Sequence, residues 1–102
     1  MESKAQNTTT VWKLRHTPTG LFYQPGLFNL SKRGKTYSKT PILKHIFGKN
    51  EIAELRVSET MKNYLDKIKF PVATHRHSVT GDSGFHVNVR KTDFEIVELK
   101  MI

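Results

Sequence analysis

The sequence predicts a small α+β domain, mostly antiparallel β-sheet with one main α-helix. Its 102 residues suffice for one hydrophobic core. Most apolar residues alternate with polar ones between glycine and proline turns, which is the period of half-buried strands. A sustained helical spacing occurs at residues 58–69. We expect residues 9–102 to form a single α+β domain and the polar residues 1–8 to be a flexible N-terminus.

The N-terminal half predicts a series of short strands. Residues 9–15 alternate in the strand period, and a Pro-Thr-Gly turn then leads into a second strand at residues 21–24. A third strand at residues 27–30 follows a Pro-Gly break. It leads into a turn at residues 31–34 and a return along residues 35–38.

Helices are predicted in the middle of the chain. Apolar residues one turn apart, followed by a glycine, predict a short helix near residues 42–47. Residues 51–57 are compatible with either a strand or the start of another helix. The main helix, residues 58–69, begins at Ser58, a good N-cap residue, and ends before Pro71. Its expected inward-facing residues are Met61, Tyr64, Leu65 and Ile68.

Three more strands are predicted at residues 72–79, 85–90 and 94–101, separated by turn sequences. Because they follow one another closely, we expect them to pair as a meander. The apolar face of the main helix is expected to pack on this C-terminal sheet.

Charge is divided sharply along the chain. Residues 3–50 carry nine cations and no aspartate or glutamate, whereas residues 51–102 carry eight cations and eight acids. An uncompensated basic half repels itself unless an anion is usually nearby. A polyanion or an acidic protein surface is therefore the expected partner.

Several classes of protein are disfavoured by the composition. There is no cysteine, hence no disulfide and no thiolate, which agrees with a cytoplasmic protein. No apolar run approaches the length of a membrane span, so no membrane partner is expected. No phosphate-binding loop, dinucleotide motif or zinc ligand set is present. We therefore expect no cofactor and no metal.

The strongest candidate site is the basic tip, residues 31–37. Its cations can neutralise phosphates, Gly34 would let the backbone approach a sugar-phosphate chain, and Tyr37 or Phe28 could stack on an unpaired base. The alternative is a solvated turn whose lysines only deter edge pairing. Lys13 and Arg15 point the same way on an alternating strand and would extend the patch. The expected nucleic-acid or partner-binding residues are Lys13, Arg15, Phe28, Lys32, Arg33, Lys35, Tyr37, Lys39, Lys44 and Lys49.

Three histidines form a second candidate. His75 and His77 share one face of a predicted strand, and His86 could approach them from the neighbouring strand. Such a group could bind a metal, or together with Arg76 supply the acid and base of a small endoribonuclease. Histidines on a half-exposed strand commonly have neither role, so we expect no catalytic residues.

Three motifs resemble one family. They are HTPTGLFY at residues 16–23, NLSKRGKTY at residues 29–37 and DFEIVEL at residues 93–99. Together they resemble motifs of small uncharacterised proteins of large tailed bacteriophages. The resemblance implies a phage origin and a shared small fold, and it implies no reaction.

These features together predict a non-catalytic phage accessory protein in the cytoplasm of the infected bacterial host. Its basic N-terminal half would bind RNA, DNA or a host ribonucleoprotein in host takeover or counter-defence. An alternative is a stoichiometric inhibitor of a host defence or transcription enzyme that uses the same cations on an acidic patch. A small endoribonuclease is the third reading. The sequence leaves the oligomeric state open.

Overall fold

The structure is a computed structural model that describes residues 9–76 and 83–101. Within those ranges the strands are β1 (Thr9–His16), β2 (Leu21–Tyr23), β3 (Leu30–Ser31), β4 (Ile52–Val57), β5 (Ala73–Arg76), β6 (Ser83–Arg90) and β7 (Phe94–Met101). The helices are α1 (Lys44–Phe47) and α2 (Glu59–Lys67), with a 3-10 turn at Lys91–Asp93. The predicted α+β class, mostly antiparallel sheet with one main helix, is confirmed.

Two antiparallel sheets make up the fold. Sheet 1 has the strand order β3-β2-β1-β7, and sheet 2 has the order β4-β6-β5. In sheet 1, β1 pairs along its whole length with β7, from Thr9 opposite Met101 to His16 opposite Phe94. The first and last described strands are therefore direct neighbours.

The predicted meander of the last three strands is wrong. β5 and β6 do pair with each other, but β7 belongs to sheet 1. The second edge of β6 is occupied by β4, whose Leu55 lies opposite Val87 in a ladder of six pairs. Residues 52–57 thus form a strand, and the strand at residues 94–101 pairs with β1 because no edge of β6 remains for it.

The predicted third strand is shorter than expected. Only Leu30 and Ser31 join sheet 1, because Asn29 closes the preceding segment into a loop: its Nδ2 donates to the carbonyls of Gln24 and Gly26 at 3.1 and 3.2 Å. Asn29 also links the two sheets. Its N–H donates to the Arg56 carbonyl at 2.8 Å, and its Oδ1 accepts from the Arg56 N–H at 3.1 Å.

The main helix begins as predicted. The Ser58 Oγ accepts a hydrogen bond from the Met61 N–H at 3.2 Å, which satisfies one of the free donors of the first turn. Leu65 is fully buried, and Met61 and Tyr64 pack against the core. Ile68, expected to face inward, is 41% exposed because the helix has ended before it.

One hydrophobic core is shared by the two sheets and the two helices. The two helices contribute Phe47 and Leu65. The buried residues from sheet 1 are Leu14, Leu21, Leu30 and Phe94, and those from sheet 2 are Leu55, Val57, Val87 and Val89. Burial of such side chains is the main favourable contribution to folding. The two sheets and both helices therefore depend on the same core.

His16 lies fully buried in this region. Its Nδ1 is 2.9 Å from the Thr19 Oγ1, its ring packs edge-on against Phe70, and no hydrogen-bond partner reaches its Nε2. Burial lowers the pKa of His16 below its ordinary value, because a charged imidazole would be desolvated there, and the nearby Asp93 opposes that shift. Burial at this position therefore favours the neutral form of the imidazole over the charged form.

Candidate nucleic-acid interface

The basic tip folds back onto β2. The Ser31 Oγ accepts from the Gly34 N–H at 2.7 Å, and the Lys35 N–H donates to the Tyr23 carbonyl at 3.0 Å. Gly34 has a φ of +67°, and a Cβ built on it would lie 2.3 Å from the Cβ of Phe22. The need for glycine at this position is thus explained by close packing on Phe22, without reference to a bound sugar-phosphate chain.

The two lysines of the basic tip are directed to different places, and Arg33 is exposed. The Lys32 Nζ lies 5.5 Å from the ring centroid of Tyr64 on α2. The carbonyl of Arg33 accepts a hydrogen bond from the Lys13 Nζ at 2.6 Å. The Lys35 Nζ lies 5.5 Å from the ring centroid of Tyr37. Of these cations, only Lys35 lines the cleft that residues 35–42 form with α1 and sheet 1.

Lys13 and Arg15 lie on the same face of β1, as the alternation predicts. Strand register places that face on the other side of sheet 1 from Leu14, which packs in the core. The Lys13 Nζ is 5.0 Å from the ring centroid of Phe22, and the Arg15 Nη1 forms a 2.9 Å ion pair with the Glu95 Oε1. The charge of Arg15 is therefore partly compensated within the chain.

A cleft of about 580 Å³ is formed by residues 35–42, the neighbouring part of sheet 1 and α1. We call it the tyrosine cleft because Tyr23 and Tyr37 both line it. Tyr37 is held in place by its backbone, which donates to and accepts from the backbone of Trp12 at 2.7 and 2.9 Å. Apolar side chains, including Leu14 and Ile42, complete the wall.

The polar lining of the tyrosine cleft contains cations and hydroxyls. Lys35, Lys39 and His45 line it, as do three hydroxyl side chains between residues 36 and 40. None of the lining residues is an aspartate or glutamate. A cleft with this lining favours a ligand that combines a flat, partly apolar group with negative charge.

Both cleft tyrosines remain neutral donors. Burial raises the pKa of Tyr23 above its ordinary value, because the phenolate would be desolvated. Burial also raises the pKa of Tyr37, and the proximity of Tyr23 adds to that shift. Their hydroxyls can therefore donate hydrogen bonds to an anionic or carbonyl oxygen.

Of the ten residues expected to bind nucleic acid, the structure brings Lys35, Tyr37 and Lys39 together at the tyrosine cleft. Phe28 lies in the loop before β3 and is 40% exposed. Lys44 and Lys49 are exposed on and after α1 and do not line the cleft. The cations of the basic half are thus distributed over several surfaces.

Sequence analysis missed Tyr23 as a site residue. Its signal was strand parity: Tyr23 is two positions from Leu21, and both are on the face of β2 that carries Leu14 on β1. His45 also lines the cleft. Its place in the cleft follows from the start of α1, which turns His45 toward residues 35–42.

The proposed histidine group is only partly covered by the structure. His77 lies outside the described residues, and for His75 and Arg76 only the backbone pairing with β6 is described. The His86 Nε2 lies 3.0 Å from the Glu54 Oε2. In residues 9–76 and 83–101 no group of three or more histidines and carboxylates could hold a metal ion.

Comparisons with known proteins leave the function to be argued from this geometry. The chain matches no protein-family model, and no curated protein or solved structure is significantly similar to it. Across the described residues, no helix has the length and apolar character needed to cross a membrane.

Proposed function

We propose that this chain is a non-catalytic protein that binds single-stranded nucleic acid, with an unpaired base in the tyrosine cleft. One observation carries the proposal: the cleft joins two tyrosine rings to two lysines and has no carboxylate in its lining. Its volume of about 580 Å³ suits a single nucleotide or two, whereas a duplex is too wide to enter.

Two physical terms would supply the affinity. A base stacked on an aromatic ring contributes about 1–3 kcal/mol with little dependence on sequence. Lysines that neutralise phosphates release counterions, so binding weakens as salt rises, with a slope of about 0.7 per phosphate contact for single strands. The Lys35 Nζ lies over one face of the Tyr37 ring, 5.5 Å from its centroid, so a base stacked on the other face would have a cation close to its phosphate.

The test is a salt series of binding measurements with labelled single-stranded RNA, single-stranded DNA and duplex. We expect the wild-type protein to prefer the single strands. In Lys35→Gln/Lys39→Gln the log-log salt slope should fall by about 1.4, because two phosphate contacts are lost. Tyr37→Leu should weaken binding without changing that slope.

The matched control is Lys44→Gln/Lys49→Gln, which removes the same charge from exposed positions outside the cleft. We expect it to keep most of the wild-type affinity. Equal losses in the two double variants would show general attraction to a basic surface and would overturn the cleft as the binding site. No binding to any nucleic acid at low salt would overturn the proposal itself.

In the infected cell, such a protein would act on host or phage transcripts or on a ribonucleoprotein. We expect RNA incubated with the protein to remain intact, because binding in the cleft requires no acid-base pair. A host protein that stays bound in equal amount after nuclease treatment would instead favour the inhibitor alternative.

A further inference from the structure

The outer edge of β7 is unpaired within the described part of the chain. β7 is the end strand of sheet 1 and is eight residues long. Two of its apolar side chains remain exposed, Ile96 at 45% and Leu99 at 36%. Long edges of this kind offer backbone donors and acceptors to another strand.

The backbone groups on that edge can be identified from β1. Trp12 donates to and accepts from Tyr37, so its N–H and C=O point away from β7. Trp12 lies opposite Glu98, and the residues of such a pair direct their backbone groups away from each other. Glu98 therefore presents its N–H and C=O outward, and by alternation Ile96 and Lys100 do the same.

We propose that β7 pairs with β7 of a second copy of this chain, antiparallel, with Leu99 at the two-fold axis. A two-fold interface uses the same strand twice, and residues opposite each other must point to the same face. The two-fold axis must then pass through a residue of β7, and moving it by one residue changes the partner of every residue by two positions.

One register fits the side chains of β7. With Leu99 opposite its own copy, Glu98 lies opposite Lys100 on both sides of the axis, and Val97 lies opposite Met101. Moving the axis to Glu98 or to Lys100 places like charges directly opposite each other, which is destabilising. Moving it to Val97 places Ile96 opposite Glu98. The Leu99 register alone matches acid with cation and apolar with apolar residues.

This register is also consistent with the rest of sheet 1. Val11 is buried and lies opposite Leu99. Across the axis, a continuous apolar row would run through Val11 and Leu99 of one copy and Leu99 and Val11 of the other. The outward N–H and C=O groups of Glu98 and Lys100 would form the hydrogen bonds between the two copies. The two Leu99 residues would face each other as a non-hydrogen-bonded pair, in which the Cα atoms lie closer together.

Charged residues on an edge strand often prevent pairing. Here the two charges have opposite signs and are two positions apart, so an antiparallel second copy places an opposite charge across from each of them. The occupant is therefore the same chain and not an unrelated strand.

The test measures the mass of the full-length protein by sedimentation over a concentration series. We expect a reversible dimer. Glu98→Lys and Lys100→Glu should each raise the dimer dissociation constant about tenfold or more, because two attractive pairs become repulsive. The double variant Glu98→Lys/Lys100→Glu has the wild-type net charge and should regain the wild-type dissociation constant.

A cross-linking experiment fixes the register independently. The chain has no cysteine, so Leu99→Cys introduces a single thiol. In the proposed dimer the two Leu99 Cα atoms are about 4.5 Å apart, within the range for a disulfide. Val97→Cys is the control, because its two copies would be about 13 Å apart along the strands.

Each outcome decides the matter. Efficient oxidation to a dimer in Leu99→Cys but not in Val97→Cys supports the register. A wild-type protein that stays monomeric at every concentration overturns the proposal, as does dimerisation that neither single charge reversal weakens. Failure of the double variant to regain dimerisation excludes this register. None of these results depends on nucleic-acid binding.

Discussion

The packing of Gly34 on Phe22 predicts a large loss of stability in Gly34→Ala. Gly34 has a φ of +67°, a conformation that costs an L-residue about 1–2 kcal/mol. The added Cβ would also lie 2.3 Å from the Phe22 Cβ and 3.1 Å from the Tyr23 carbonyl oxygen. Both neighbours belong to β2, so neither can move without disturbing sheet 1.

The magnitude follows from these two terms. Overpacking of a tight contact typically costs about 1–3 kcal/mol beyond the backbone term. We therefore expect Gly34→Ala to lower the free energy of unfolding by about 2–5 kcal/mol. Gly20 provides the matched control, because its φ is +75° but the nearest atom to an added Cβ is 3.9 Å away. Gly20→Ala should lose only about 1–2 kcal/mol.

The assay is urea unfolding followed by the fluorescence of Trp12, the single tryptophan. The m-value should stay unchanged in both variants, so that the shift in midpoint reports stability alone. Equal losses for Gly20→Ala and Gly34→Ala would refute the reasoning, because they would leave only the backbone term. If Gly34→Ala is too unstable to fold, its loss of unfolding free energy is still larger than that of Gly20→Ala.

Three further expectations concern single side chains. Burial lowers the pKa of His16 in the folded chain, so the unfolded chain binds a proton at His16 more tightly. The free energy of unfolding should therefore fall as the pH drops below 6.5, by at most about 1.4 kcal/mol per pH unit. Urea titrations across pH 5–8 should show a smaller dependence in His16→Leu. Ser58→Ala should lose about 1 kcal/mol with the N-cap bond, and Ser58→Thr should keep most of it, as thermal unfolding can show. Tyr64→Phe should lose about 1 kcal/mol in urea unfolding, because the hydroxyl donates to the Thr19 carbonyl at 2.8 Å; a neutral result would mean that water replaces the phenol.

Local patterns predicted the elements well but not their partners. The alternation in residues 9–15 and 94–101 predicted β1 and β7, and Ser58 marked the start of the main helix. Which strand β7 would join was not encoded locally, because its alternation fits β6 and β1 equally. That choice depends on β4 having taken the second edge of β6.

At the candidate site, too, the sequence predicted several residues but not how they come together. Composition led to Lys35, Tyr37 and Lys39, because cations and an aromatic residue occur there together. Which cations line the tyrosine cleft was not predictable, since it depends on the hydrogen bonds between Tyr37 and Trp12 and on strand register. Likewise, the ion pair of Arg15 with Glu95 has no signal in the neighbouring sequence.

The pairing of β1 with β7 has a consequence for how the chain folds. β1 precedes almost all of the described chain, and the partner for its whole length is the last described strand. Contacts between such distant segments are formed slowly, because a long loop must close before they contribute. During synthesis β1 must therefore wait, without the strand that completes its hydrogen bonds, until residues 94–101 have left the ribosome. Over that interval Arg15 also lacks Glu95, so the nascent chain is most strongly cationic before sheet 1 closes.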